Sequence, residues 1–190
     1  MYGQCASERS AAQQRMFEAA MLELMSQRLF ENISVSELCR YTGLSRKTFY
    51  RLYETKADVV YAMIDHAIMD ASSYVPDPSV GPGGLHRFLA YWRSRKDLLD
   101  VLKKNQISAL LQQQTVIHVL NEVPELVHVF GADSSRNGRD LLVFYISGIF
   151  SLVLDWHGHG FDRSIDELAA SLMELMMTPP VKCPMPEHMH

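Results

Sequence analysis

The chain has 190 residues, 47% of them hydrophobic and 21% charged, with a formal net charge of −4. That balance suits one mid-sized globular domain or two small helical ones and excludes a chain disordered throughout. No run reaches the ~18 consecutive apolar residues of a membrane span, and Met1-Tyr2-Gly3-Gln4-Cys5 lacks the basic-then-apolar order of a secretion signal. Three cysteines, Cys5, Cys39 and Cys183, are odd in number and show no metal spacing, which fits a reducing compartment. A cytoplasmic protein with no membrane partner is the expectation.

Helical periodicity runs through almost the whole chain, so an all-α fold is predicted. Residues 10–30 place Met16, Phe17, Ala20, Met21, Leu24 and Met25 on one helix face. Ser34 and Glu37 have the spacing of a capping box, in which the hydroxyl accepts the third helical N–H and the carboxylate reaches back to the cap. The short helix so opened ends near Tyr41, Gly43 breaks it, and Ser45 caps the next. Thr55 caps a further helix to about Ser73, with Asp58 near its positive end. Pro76, Pro78, Gly81, Pro82, Gly83 and Gly84 then predict a loop over 74–84 and a domain boundary. Helices are expected again over 85–95, 98–120 (with a break near Asn105), 124–130, about 133–157 and about 164–177. Gly158-His159-Gly160 ends the long one, and Ser164 with Glu167 repeats the capping box. The proline-rich tail 179–190 is predicted to be disordered.

Charge is unevenly spread. Residues 1–60 hold 8 basic and 7 acidic side chains, whereas residues 61–190 hold 10 and 15. Arg40, Arg46, Lys47, Arg51 and Lys56 lie close together, a local basic cluster on an acidic chain that suits a small phosphate-binding face. The same stretch holds two short helices joined by a glycine turn, following a longer first helix. Such a helix-turn-helix needs a residue tolerant of positive φ at the turn, which Gly43 provides. It needs apolar locks, for which Leu38, Leu44 and Phe49 are candidates. Its outer face needs donors, and Ser45, Arg46, Lys47, Thr48, Tyr50 and Arg51 qualify.

The run from Ser34 to Val59 closely resembles the DNA-binding domain of the TetR (tetracycline-repressor) family. The matching positions are Ser34, Cys39, Gly43-Leu44-Ser45, Phe49-Tyr50, Tyr53, Lys56 and Val59, with Cys39 and Thr42 standing where alanine is common. The resemblance implies an amino-terminal helix-turn-helix domain (1–56), a connecting helix (57–73) and a helical sensing and dimerisation domain (85–178). It implies that Ser34 or Ser36 bonds a DNA phosphate, that Ser45, Arg46, Lys47 and Thr48 enter the major groove, that Tyr50 bonds a phosphate, and that Lys56 clamps the backbone. Arg46 and Lys47 are either guanine readers or phosphate ligands, and Tyr50 either a contact or a packing residue. Phe49 and Tyr53 are expected in the core. The partners so implied are double-stranded DNA with a pseudo-palindromic operator, a second copy of the chain and a small-molecule effector. The function implied is a ligand-responsive regulator, a repressor in the family's common mode.

In the carboxy-terminal part, residues 141–154 are apolar nearly all round and too short to cross a bilayer, so protein must bury them. Ser147, Gly148 and Ser151 form a small-residue patch there. With Leu152, and with Leu168, Leu172, Leu175 and Met176 of the last helix, they are the candidate two-fold interface. Candidate effector-pocket residues are Phe88, Tyr91, Trp92, Leu110, Leu111, His118, Phe144 and Tyr145. Two rival functions are weaker. An enzyme would need a built site, and His157-Gly158-His159 with Asp155 or Asp162 sits at a helix end, so no catalytic residue, cofactor or metal is expected. A coregulator without operator binding would not need Arg46, Lys47, Tyr50 and Lys56 together.

Overall fold

A computed structural model describes residues 8–73, 83–122 and 136–177, and among these every regular element is a helix. The first helix, α1 (Glu8–Gln27), buries Phe17, Ala20, Met21, Leu24 and Met25, the row expected from periodicity. Met16 is 44% exposed, at the edge of that row. A single 3-10 turn follows (Phe30–Asn32), then α2 (Val35–Thr42), α3 (Arg46–Leu52) and α4 (Lys56–Ser72).

The caps follow from side-chain chemistry. Ser34 and Ser45 each accept an N–H from the residue three positions on, at 3.2 and 3.1 Å. Thr55 and Asp58 form the full reciprocal box on α4. Burial pushes the Asp58 carboxyl up, but bonds from the Thr55 backbone and hydroxyl outweigh it and hold its pKa below the usual value. At Ser34 only half of the expected box forms. The Glu37 carboxylate turns away from the cap to the Arg28 guanidinium, with Arg40 at 3.7 Å, since a charged partner outbids a backbone N–H.

The remaining helices are α5 (Gly83–Ser94), α6 (Lys96–Lys104), α7 (Ser108–Glu122), α8 (Arg136–Gly158) and α9 (Ile165–Met177). Gly83 and Gly84 are helical and not part of the expected loop, and Gly84 is buried. The break near Asn105 separates α6 from α7 as expected. The helix expected over 124–130, most of the loop 74–84 and the tail 179–190 lie outside the described residues.

Packing joins the amino-terminal helices to those that follow. Helix α1 lies against α2, α4 and α6, α4 against α7, α7 against α8, and α5 against α9. Phe88, Trp92 and Phe150 meet edge to face with centroids 5.3 to 6.3 Å apart, each such pair worth about 0.5–1.5 kcal/mol. Helix α8 is 23 residues long, longer than the apolar run suggests, and Gly138–Gly158 has the length and hydropathy to cross a membrane. Its Leu142, Ile146, Phe150, Val153 and Trp156 row is buried in the chain's own core.

Between α1 and α4, the His66 imidazole meets the Glu18 carboxylate at 2.9 Å. The bond to Glu18 raises the His66 pKa, burial opposes it, and the Glu18 charge adds to the rise. An imidazolium favoured by folding stabilises the fold below the unfolded pKa of about 6.5, and that contribution is lost as pH rises through the folded value. Between about pH 6 and 8 the urea midpoint is expected to fall more than that of the His66→Gln variant. The difference should be up to about 1 kcal/mol, as for a partly exposed ion pair. Parallel pH profiles would show that the pair contributes nothing.

Candidate nucleic-acid interface

The amino-terminal helices are built to present one short helix. Phe49 and Leu52 of α3 are buried, and Phe49 packs edge-on to Phe17 of α1, with centroids 5.3 Å apart. Tyr53 completes the cluster at 5.6 Å from Phe49 and 6.1 Å from Phe17. As expected for core residues, Phe49 and Tyr53 are fully enclosed. Leu38 is buried beneath α2, and Leu44 packs against the same core. The turn between the helices needs the left-handed backbone: Gly43 has φ +69°. The Thr42 hydroxyl donates to Leu38 O at 2.9 Å and accepts the Leu44 N–H at 3.3 Å, fixing the turn from within.

With Phe49 and Leu52 anchored, residues 46, 47, 50 and 51 face outwards and are exposed. The Arg46 guanidinium reaches the Ser36 hydroxyl and the Tyr50 hydroxyl, both at 3.4 Å, and lies 5.9 Å from the centre of the Tyr50 ring. Ser36, Arg46 and Tyr50 are thus one cluster across α2 and α3. Tyr50 is 52% exposed with its ring edge against Phe49, so it serves packing and display together. Lys47 is exposed beside them, as is Arg40 on α2. The nearby Glu37 is held by Arg28 and Arg40, which leaves the rim positive. Beneath it Cys39 is buried; desolvation pushes its thiol pKa up despite the Arg46 charge.

Other sequence candidates have different partners. Ser34 and Ser45 are exposed caps, and the Thr48 hydroxyl is shared with Ser45 Oγ at 3.0 Å. Arg51 bonds the Gln13 side chain of α1, which ties α3 down at its far end. Lys56 departs furthest from expectation. Its ammonium donates to the carbonyls of Phe30, Glu31 and Ile33 at 2.9, 3.0 and 2.8 Å, and lies 4.4 Å from the centre of the Phe30 ring. An ammonium has three protons to donate, and here all are engaged. In this structure Lys56 builds the turn before α2. Sequence gives no sign of this, because a lysine at a helix start looks the same whether it turns outwards or back.

The effector-pocket candidates differ in exposure. Trp92 and Leu111 are fully enclosed, and Phe88 is buried with them. Tyr91, Leu110, His118 and Tyr145 are half-buried, and Phe144 is 70% exposed. The Trp92 indole N–H is buried without a hydrogen-bond partner among the described residues. The interface candidates divide as well. Leu168 and Leu172 are buried within the subunit, where α9 packs on α5. Gly148 and Ser151 are exposed, Ser147 and Leu152 half-buried, and Leu175 is 63% exposed. His157 and His159 are paired with Asp100 at 2.8 Å and Asp155 at 3.5 Å. No group of metal-ligating side chains forms among the described residues.

No family model matches the sequence, and no curated protein matches it. The fold is similar to that of a solved structure, a TetR-family transcriptional regulator from Streptomyces coelicolor. That protein is 16% identical, with a TM-score of 0.58 over 86% of this chain and 80% of the other. The chain therefore has the all-helical fold of that regulator.

Replacing Lys56 by methionine keeps the stem and removes three charged hydrogen bonds, two of them part-buried. Lys56→Met is expected to lower stability by about 2–3 kcal/mol, measured by urea unfolding. A change under about 0.5 kcal/mol, the usual range for a surface side chain, would return Lys56 to solvent.

Proposed function

We propose that the chain is a DNA-binding transcriptional regulator that works as a homodimer in the cytoplasm, and that it is a repressor released from a pseudo-palindromic operator by a small molecule. The observation that carries DNA binding is the outer face of α3. Arg46 is held between two hydroxyls over an aromatic ring, with Lys47 beside it, on a helix whose opposite side is locked by Phe49 and Leu52. A seven-residue helix is about 10 Å long, and the B-DNA major groove is about 12 Å wide and admits a helix. A guanidinium already oriented loses less freedom on meeting a guanine edge or a phosphate. The fold likeness to a TetR-family regulator agrees with this reading.

The dimer is supported by the outer face of α8. Leu141, Phe144, Gly148 and Ser151 are exposed at alternating spacings of three and four, the spacing of a helix seam. A β-carbon on Gly148 would meet nothing within 4 Å. A second copy docking there places two α3 helices on one duplex, with half-sites about 34–36 Å apart. The effector is supported by the Trp92 N–H. A buried donor left open costs stability, and a small molecule bearing an acceptor would recover it.

Two measurements test these proposals. On the DNA upstream of the protein's own coding sequence, anisotropy titrations are expected to show a salt-sensitive, sequence-preferring complex. Arg46→Ala should weaken it by about 1–3 kcal/mol. Relaxed sequence preference would make Arg46 a base reader, and a salt slope reduced by about 1 a phosphate ligand. A wild-type chain with no salt-sensitive complex would favour a coregulator. In sedimentation the wild type is expected to be a dimer and Gly148→Glu a monomer. Because the subunit has open space at Gly148, an unchanged oligomeric state would remove this face from the interface.

A further inference from the structure

The turn between α1 and α2 is held by a part of the chain far from it in sequence. Leu29 is the N-cap position of the 3-10 turn Phe30–Asn32 and supplies no side-chain cap. The first N–H groups of such a turn have no partner within it. Phe30 N–H instead donates to Asn105 Oδ1 at 2.7 Å, across 75 residues. A serine or aspartate at position 29 would have capped the turn locally. The chain uses the end of α6.

Asn105 is itself tightly fixed. Helix α6 stops in a Schellman motif, with Ile107 N–H to Leu102 O at 2.9 Å and Gln106 N–H to Lys103 O at 3.1 Å. Gln106 takes φ +58°, where glycine is usual. Asn105 Nδ2 donates back to Val101 O at 2.8 Å, which sets the amide plane. Next to it Lys104 Nζ donates to Ser26 O, at the end of α1, at 2.6 Å. On its other side the turn is held by the Lys56 ammonium of α4, and Arg28 ties it to Glu37 of α2.

We infer that Asn105 is a positioning residue for the helix-turn-helix: the bond from Phe30 N–H to Asn105 fixes the entry to α2 and α3 relative to α6. Three carbonyls of the segment go to α4 and the Phe30 amide goes to α6. A displaced α6 end therefore carries the turn, and α2 behind it, along the same bonds. The effect on DNA rests on the function proposed above, but the bond and its reach do not.

Hydrogen exchange on the full-length protein tests the bond without DNA. Asn105→Ala is expected to speed exchange of amides 30–52 about tenfold, as for loss of one part-buried hydrogen bond, and to leave amides of α7 and α8 unchanged. Asn105→Asp keeps an acceptor at the same reach but gives up the donation to Val101 O, and should restore part of the protection. On a duplex selected by the wild-type protein from a random pool, Asn105→Ala should bind about fivefold more weakly and Asn105→Asp between the two. Unchanged exchange over 30–52, an equal rise in α7 and α8, or an aspartate variant as damaged as the alanine variant would each overturn the inference. If the wild type selects no duplex, the exchange data still decide the role of Asn105, and DNA binding alone is refuted.

Discussion

The ammonium group of Lys56 gathers three carbonyls at the entry to the helix-turn-helix. Lys56 begins α4, where the helix dipole disfavours a cation, yet its side chain turns back to three carbonyls of the preceding turn. Phe30 O also accepts the Ile33 N–H within the turn, and the ammonium adds a charged donor to it and to the Glu31 and Ile33 carbonyls. With them satisfied, α2 starts where Ser34 can cap it, and α3 can then lie across α1 on the Phe17–Phe49–Tyr53 cluster. Each later feature of the exposed face assumes that arrangement.

The display of α3 is a division of labour within seven residues. Its inner positions make aromatic contacts and its outer ones carry charge and hydroxyls, while Arg51 fastens the last turn to α1. The Glu37 carboxylate of α2 is paired with two arginines, which leaves Arg46 and Lys47 to charge the outer face although the chain as a whole is acidic. Net charge alone would have argued the other way.

What the amino-acid order revealed was local. The caps at Ser34, Ser45 and Thr55, the left-handed Gly43 and the apolar row of α1 depend on neighbours within four residues, and all were legible. Features set by distant partners were not. Glu37 has capping-box spacing, but Arg28 takes its carboxylate; Lys56 resembles a surface cation; Asn105 looked like a helix break and nothing more. Leu168 and Leu172 share a periodicity with Leu175, but burial against α5 encloses the first two and leaves the third outside. Helix period shows which residues share a face. It does not show whether that face meets the same subunit or another.

Cys39 sits on the inner side of α2, enclosed and with its thiolate disfavoured. A thiol in that state reacts with an alkylating reagent only after the helices around it part. Cys39 thus gives the chain a built-in chemical reporter for the breathing of the helix-turn-helix.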